Sequence, residues 1–177
     1  MKDFNKMRGF TLIELMIVVI LIVIFAAFAV PSFKHRLERT KVESYTDEFL
    51  TALRYARSEA ITRGTEVSLA PINATLDKGW NVKTVNFGGS EVFLREHNAL
   101  NGVKICTETN DCGRTIAFTF TPRGSMKVQV DGADHPAGLK LLVRPNTYNN
   151  VPGDSSVGTA LLLEVNTLGH ARISNAV

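Results

Sequence analysis

The sequence lacks the residue clusters on which most enzymes and metalloproteins depend. Its four histidines, His35, His97, His135 and His170, are scattered, and none stands three or four residues from a second histidine or a cysteine. A glycine-rich phosphate loop, a Gly-x-Ser-x-Gly nucleophile elbow and a recognisable pair of acids are also missing. We therefore expect no catalytic residue, no metal site and no cofactor, and we expect that the protein is not an enzyme.

An excess of one charge is missing from most of the chain. The formal net charge is +3, and the first nine residues supply most of it. From residue 64 to residue 177 there are ten Lys and Arg residues and ten Asp and Glu residues. The overall charge therefore predicts no extended basic surface for binding nucleic acid or anionic lipid, and any such binding site must be local.

A long apolar run is the dominant feature that the sequence does contain. From Phe10 to Val30 only Thr11 and Glu14 are polar, and as a helix this segment would span about 31 Å, the thickness of a bilayer core. The positive charges before it predict a cytoplasmic N-terminus and translocation of the rest of the chain. Glu14 is unusual here, because an ionisable group at bilayer depth usually has a partner or a function.

An ordinary secretory signal is the simpler interpretation of this N-terminus. It would combine the basic residues, the apolar run and Ala27-Phe28-Ala29 as a small-x-small cleavage site, but Glu14 weakens such an apolar region. The stretch Gly9-Phe10-Thr11-Leu12-Ile13-Glu14 resembles instead the class III prepilin signal of type IV pilins and type II secretion pseudopilins. Pro31 falls where many pilins carry a helix-kinking proline.

This resemblance implies a processing route and a role for the carboxylate. A prepilin peptidase would cut after Gly9 and methylate the new amino group of Phe10. Glu14 would act in filament assembly by pairing with the amino terminus of a neighbouring subunit, because two opposite charges are tolerated in an apolar filament core only together. The partners implied are a major pilin, other minor pilins or pseudopilins, the prepilin peptidase and the inner membrane.

The segment after the apolar run predicts an amphipathic continuation of the helix. Apolar residues recur every three or four positions up to residue 63, at Val42, Tyr45, Phe49, Leu53, Ala56 and Ala60. Gly64 is expected to cap this helix, with Arg63 in its last turn, where a cation suits the helix dipole.

Short alternating segments after Gly64 predict strands that cover the apolar face of the helix. Turn residues separate them, including Asp77-Lys78-Gly79. The expected strands are Glu66–Ala70, Trp80–Val85, Val92–Arg95, Val103–Cys106, Thr115–Thr121, Met126–Val130, Leu139–Arg144, Leu161–Val165 and His170–Ser174.

The predicted fold class is α+β, with a long N-terminal helix packed on a C-terminal antiparallel β-sheet domain, as in type IV pilins. We expect a leader peptide at residues 1–9 and a transmembrane and assembly helix at residues 10–30. Residues 31–63 would be the amphipathic continuation of that helix, and residues 64–177 a periplasmic β domain.

Cysteine is scarce, with only Cys106 and Cys112 in the chain. The topology places them on the periplasmic side, where disulfides form and persist. The polar residues between them favour a short bridge that pins a surface loop. A zinc pair or redox thiols are the alternatives, but the spacing is longer than usual for either and no histidine is near.

Motifs after the apolar run make the resemblance more specific, because they are similar to those of the GspH/FimT group of minor pilins and pseudopilins. They are the helix end Tyr-Ala-Arg-Ser-Glu-Ala-Ile-Thr-Arg-Gly at residues 55–64, Gly79-Trp80, Phe-Thr-Phe-Thr-Pro-Arg-Gly at residues 118–124, and Gly169-His170-Ala171-Arg172. The resemblance implies a structural subunit of a type IV pilus that acts in pilus assembly or initiation at or near the tip. A type II secretion pseudopilin is the first alternative.

The loop at residues 146–150 would be either a contact region or a connection without a role.

A DNA-binding minor pilin for natural transformation is the second alternative. Some relatives of the FimT kind carry a C-terminal Gly-Arg-x-Arg motif that is linked to DNA binding, and here His170 replaces its first arginine. Arg172 could join Arg144, Lys140 and Arg123 on one surface and contact phosphates of double-stranded DNA. These residues would otherwise be solvated charges at strand edges, which discourage unwanted strand pairing.

Overall fold

The computed structural model describes residues 10–86, 88–136, 138–148 and 160–175. The expected leader and Gly9 therefore lie outside the described residues, as do residues 149 and 150 of the loop considered above. Within the described residues the elements are α1 (Leu12–Arg63), β1 (Val67–Asn73), β2 (Thr75–Val85), β3 (Glu91–His97), β4 (Val103–Thr107), β5 (Ile116–Phe120), β6 (Met126–Val130), β7 (Ala133–Asp134), β8 (Leu139–Pro145), β9 (Leu161–Val165) and β10 (Ala171–Asn175).

The described strands form two antiparallel sheets within the compact unit that starts at Leu37. The larger sheet has the order β3-β2-β1-β5-β6-β7, and the smaller one has the order β10-β9-β8-β4. Every pair of neighbouring strands is antiparallel. The predicted α+β class is thereby confirmed, and β7 is a strand that the sequence pattern did not indicate.

The predicted apolar face of the helix lies in the core of this unit. Val42, Phe49 and Ala56 have no exposed surface, and Leu53 and Ala60 are also buried. The ring of Phe49 meets Trp80 of β2 edge to face at 5.2 Å and Phe118 of β5 at 5.8 Å between centroids. Such aromatic pairs add to the free energy gained by burying apolar area, so this cluster joins the helix to the larger sheet.

The first residues of α1 belong to a separate compact unit that ends at Arg36. Apolar side chains from Phe10 to Phe25 are exposed on it, with Phe10 itself 82% exposed. Within the part of the chain that the structure describes, no helix meets the length and apolarity needed to cross a membrane.

The predicted turn at Asp77-Lys78-Gly79 is wrong, because these residues lie inside β2. The chain reverses instead at Ala74, which has a positive φ of 57°. Gly79 is required for a different reason. A Cβ atom added there would clash with the backbone oxygen of His97 in β3, so the glycine permits close approach of two strands.

Replacing Gly79 with alanine is expected to lower the free energy of unfolding by about 3 kcal/mol, because both the backbone contact and the φ of 102° oppose a side chain. Gly64, which caps α1 at a φ of 66° with no atom within 4 Å of an added Cβ, is the matched control. Its alanine variant should lose only about 1–2 kcal/mol. Urea unfolding of both variants, in a fragment that starts at Lys34, measures the difference, and equal losses would contradict this account of Gly79.

Candidate assembly and binding surfaces

The start of α1 is capped by residues of the N-terminal motif. The Glu14 N–H donates to Thr11 Oγ1 at 3.3 Å, and the order Thr-x-x-Glu is that of a capping box. The carboxylate of Glu14 also lies at the positive end of the helix dipole. It forms no ion pair with any described residue.

Three of the five residues predicted to contact DNA line one groove. Lys140, His170 and Arg172 lie along a cleft of about 860 Å³ in the β domain, whereas Arg144 and Arg123 do not line it. Register explains the grouping, since Glu164 of β9 lies opposite both Lys140 of β8 and Arg172 of β10.

The charges of this groove are largely balanced by carboxylates. Lys140 Nζ lies 3.3 Å from Glu108 Oε1 and 3.3 Å from Glu164 Oε1, and these two partners raise the pKa of the lysine. Because each partner comes from a different strand or loop, the pairing was not visible in the sequence. A lysine held between two carboxylates is a poor ligand for a phosphate.

A second cluster, of which only Arg114 lines the groove, also places one cation between two carboxylates. Arg114 donates from Nε to Asp111 Oδ2 at 2.8 Å and from Nη1 to Asp131 Oδ2 at 2.7 Å. Hydrogen bonds from Arg114 and from backbone amides lower the pKa of both aspartates. Each cluster thus places two carboxylates on one cation. The charged residues that line the groove are the cations Arg114, Lys140 and Arg172 and the carboxylates Glu108 and Glu164, whereas Asp111 and Asp131 do not line it.

The structure contains the predicted disulfide between Cys106 and Cys112. Arg144 lies beside it. Its guanidinium donates to the backbone oxygens of Pro145 at 3.3 Å and Tyr148 at 3.2 Å, and it lies 3.2 Å from Cys112 Sγ. Burial lowers its pKa. Tyr148, from the predicted contact loop, is buried with Leu142 and Ala160. Arg144 therefore ties the disulfide loop to the chain that follows β8.

Three of the separated sequence motifs meet around Arg57, a residue that sequence reasoning did not single out. A Cβ added at Gly124, in the β5–β6 turn, would lie 3.3 Å from Arg57 Nε, and one added at Gly169, in the β9–β10 turn, 3.4 Å from Arg57 Cδ. Arg57 Nε is buried and has no hydrogen-bond partner among the described residues. The helix end and the two turns therefore form one packed unit, on which Arg123 is exposed.

A second unforeseen cluster fixes β3 to the helix. His97 stacks on Trp80 with 4.0 Å between ring centroids, and its Nε2 lies 2.6 Å from Glu48 Oε2. The Nδ1 atom faces the backbone oxygen of Asn98 at 2.7 Å. These contacts are those of an anchored edge strand.

Two protein-family models match this chain. The family model described as "Type II transport protein GspH" matches residues 45–166, and the one described as "Prokaryotic N-terminal methylation motif" matches residues 4–30. The chain belongs to the GspH family. The resemblance to the GspH/FimT group, stated above from separate motifs, is thereby confirmed.

Solved structures and curated proteins similar to this GspH-family chain come from Pseudomonas aeruginosa. Two crystal structures of its type IV minor pilin FimU match with TM-scores of 0.54 and 0.51 and identities of 21% and 20%, covering 78% and 76% of this chain and 92% and 93% of those chains. At this identity the likeness confirms the fold. Two curated relatives named "Fimbrial protein" are 40% identical over 86 residues, 48% of this chain and 55% of their own lengths. The chain therefore spans about half the length of the curated relatives it matches.

Proposed function

We propose that this GspH-family protein is a minor pilin, a structural subunit that acts in the assembly or initiation of a type IV pilus at or near its tip. The observation that carries the proposal is the combination, on one chain, of an N-terminal methylation motif with a GspH β domain of the FimU fold. The relatives named as fimbrial proteins support the same interpretation.

The proposed route begins in the inner membrane. A prepilin peptidase cuts after Gly9 and methylates Phe10, and the β domain is periplasmic before it enters the filament. The apolar side chains that are exposed from Phe10 to Phe25 then pack against the equivalent segments of neighbouring pilins. Glu14 receives the amino terminus of one neighbour, since its carboxylate has no ion-pair partner among the described residues of its own chain.

The experiment that tests this proposal is a comparison of cells that lack the gene with complemented cells. Major pilin sheared from the cell surface is expected to fall strongly without the gene and to return on complementation, because initiation of the filament requires the subunit. Unchanged surface pilin would contradict a role in pilus assembly.

A type II secretion pseudopilin is the second candidate, and the family description "Type II transport protein GspH" supports it. The two functions share the N-terminal motif and the fold, so the structure of the subunit does not separate them. Release of secreted proteins into the medium, measured in the same two strains, does so. Loss of secretion with normal surface pilin would favour the pseudopilus.

Binding of double-stranded DNA is a third proposal, supported by the position of His170 and Arg172 on one groove and opposed by the carboxylates around Lys140. In a titration of the fragment from Lys34 with duplex DNA at two salt concentrations, Arg172→Ala should weaken binding and binding should fall with salt. Lys127→Ala, which changes an exposed lysine of β6 outside the groove, is the control. An absence of measurable affinity at low salt would rule the proposal out.

A further inference from the structure

Arg57 lies where the end of the helix meets two turns of the β domain. A Cβ added at Gly124 would lie 3.5 Å from Arg57 Nη2, and one added at Gly169 would lie 3.5 Å from Arg57 Nε. Among the described residues, no carboxylate forms an ion pair with this guanidinium. Its Nε atom is buried, whereas the side chain as a whole is only partly buried. The arginine is therefore held in place by the turns and still reaches the surface.

Backbone hydrogen bonds fix the two turns beside each other. The Met126 N–H, which follows the β5–β6 turn, donates to the backbone oxygen of Thr167 in the β9–β10 turn at 2.8 Å. Within the second turn, Asn166 Oδ1 accepts the N–H groups of Leu168 at 3.1 Å and His170 at 2.9 Å. The surface around the arginine is therefore formed before any partner binds, which lowers the entropic cost of binding.

Exposed apolar side chains lie beside the guanidinium of Arg57. Ile61, one helical turn further along α1, is 53% exposed, and Leu168 of the β9–β10 turn is 62% exposed. A Cβ added at Gly124 would lie 3.2 Å from Ile61 Cδ1, and Leu168 directly precedes Gly169. Arginine together with apolar side chains is typical of protein–protein interfaces, whereas interfaces with nucleic acid are more polar. This composition favours a protein as the partner of the surface.

The charged groups of this surface are mainly basic. Arg123 in the β5–β6 turn is exposed and, like Arg57, forms no ion pair with any described residue. Glu59 already pairs with Arg63, and it is the only carboxylate in the segments 55–63, 121–125 and 166–170. Charge complementarity therefore favours an acidic group on the partner, and a guanidinium matches the geometry of a carboxylate.

We propose that Arg57 and Arg123 bind a carboxylate side chain of a neighbouring pilin subunit, and that an apolar side chain next to this carboxylate packs on Ile61 and Leu168. The inference rests on the proposed function, because it takes the neighbour from the filament. Arg57 donates to the carboxylate from its terminal nitrogens, since the turns enclose Nε, and Arg123 adds a second donor from the exposed turn. The apolar contacts exclude water from the ion pair and thereby strengthen it.

The test places the photo-cross-linking residue p-benzoylphenylalanine at position 168 of the full chain in cells that make the filament. Irradiation is expected to join the chain to another pilin subunit, and mass spectrometry of the cross-linked peptide identifies that subunit. The same residue at position 93, where Phe93 is also apolar and 63% exposed, is the control and should give much less of this adduct. No adduct at position 168, or an adduct with nucleic acid in place of a pilin, would overturn the proposal.

Substitutions show whether the two unpaired arginines hold the partner. Arg57→Gln is expected to lower the yield of the adduct at position 168 by about tenfold, because it removes a charged hydrogen-bond donor. Arg123→Glu changes only an exposed turn residue and should have a similar effect even if Arg57→Gln folds poorly. Arg63→Gln removes a cation that already pairs with Glu59 and should leave the yield nearly unchanged. An unchanged yield in both Arg57→Gln and Arg123→Glu, or an equal loss in all three variants, would contradict the assignment.

An exchange of charges tests the carboxylate of the partner. The acidic residues of the cross-linked peptide are changed to arginine one at a time, in cells that carry Arg123→Glu. One of these changes is expected to restore the adduct, because it rebuilds the ion pair with its charges exchanged. If none of them restores the adduct, recognition of a carboxylate is contradicted.

Failure of this inference can be distinguished from failure of the proposed function. If the wild-type chain is present in sheared filaments but position 168 gives no pilin adduct, the docking surface is wrong and the role as a subunit stands. If the wild-type chain is absent from sheared filaments and surface pilin does not depend on it, the proposed function is wrong, and the inference fails with it.

Discussion

Replacing Glu14 with alanine is expected to leave a protein that is processed at Gly9 but reaches sheared filaments at less than about a tenth of the wild-type level. The proposed partner of Glu14 is the amino terminus of a neighbouring subunit. Leaving one member of a buried ion pair uncompensated costs about 3–5 kcal/mol, and about 1.4 kcal/mol corresponds to a factor of ten in an association constant. Immunoblots of whole cells and of sheared filaments, with one antibody against the β domain, measure the ratio.

The control for this prediction addresses the second role that the structure gives to Glu14. Because the Glu14 N–H donates to Thr11 Oγ1, loss of helix capping could also impair the protein. Thr11→Ala removes that acceptor and keeps the carboxylate, so it should weaken the helix start by about 1 kcal/mol and leave incorporation nearly normal. If Thr11→Ala and Glu14→Ala reduce incorporation equally, capping and not charge pairing explains the effect.

Replacing Phe49 with alanine is expected to lower the free energy of unfolding of the β domain by about 3–5 kcal/mol. Phe49 has no exposed surface and contacts the rings of Trp80 and Phe118, so truncation leaves a cavity between the helix and the larger sheet. Domains of this size are stable by about 5–15 kcal/mol, and the loss would therefore be a large share of the total. Urea unfolding of the fragment from Lys34, followed by tryptophan fluorescence, gives the difference.

Phe93 of β3 is the matched control for this variant, since it is the same residue type with 63% of its surface exposed. Phe93→Ala should change the free energy of unfolding by no more than about 0.5 kcal/mol. A small loss in Phe49→Ala would mean that the helix contributes little to the stability of the domain.

The helix face and most strands could be predicted because they depend on periodicity within one segment. The spacing of Val42, Phe49 and Ala56 predicts a buried face without knowledge of what covers it, and Gly64 marks the helix end where the structure has it. Gly79 shows where this reasoning fails. A glycine in a turn and a glycine at a close approach of two strands look alike in a sequence, and only the position of His97 separates them.

The groove could not be predicted, because its charges come from segments far apart in the chain. When only the basic residues of the sequence are considered, Arg172 and Lys140 are candidate phosphate ligands. The register between β8, β9 and β10 then places Glu164 between them, and the loop after β4 brings Glu108 to Lys140. The meeting of Arg57 with Gly124 and Gly169 has the same origin, since each motif was visible but their common location was not.

The central claim, that this GspH-family chain enters a filament as a processed pilin subunit, is tested most directly by mass spectrometry of the protein recovered from sheared filaments. We expect its mature N-terminus to be Phe10 with a methylated amino group. A mature chain that begins at Val30, as cleavage after Ala29 by an ordinary signal peptidase would give, would contradict the claim, because it would lack Glu14 and the apolar segment on which assembly depends.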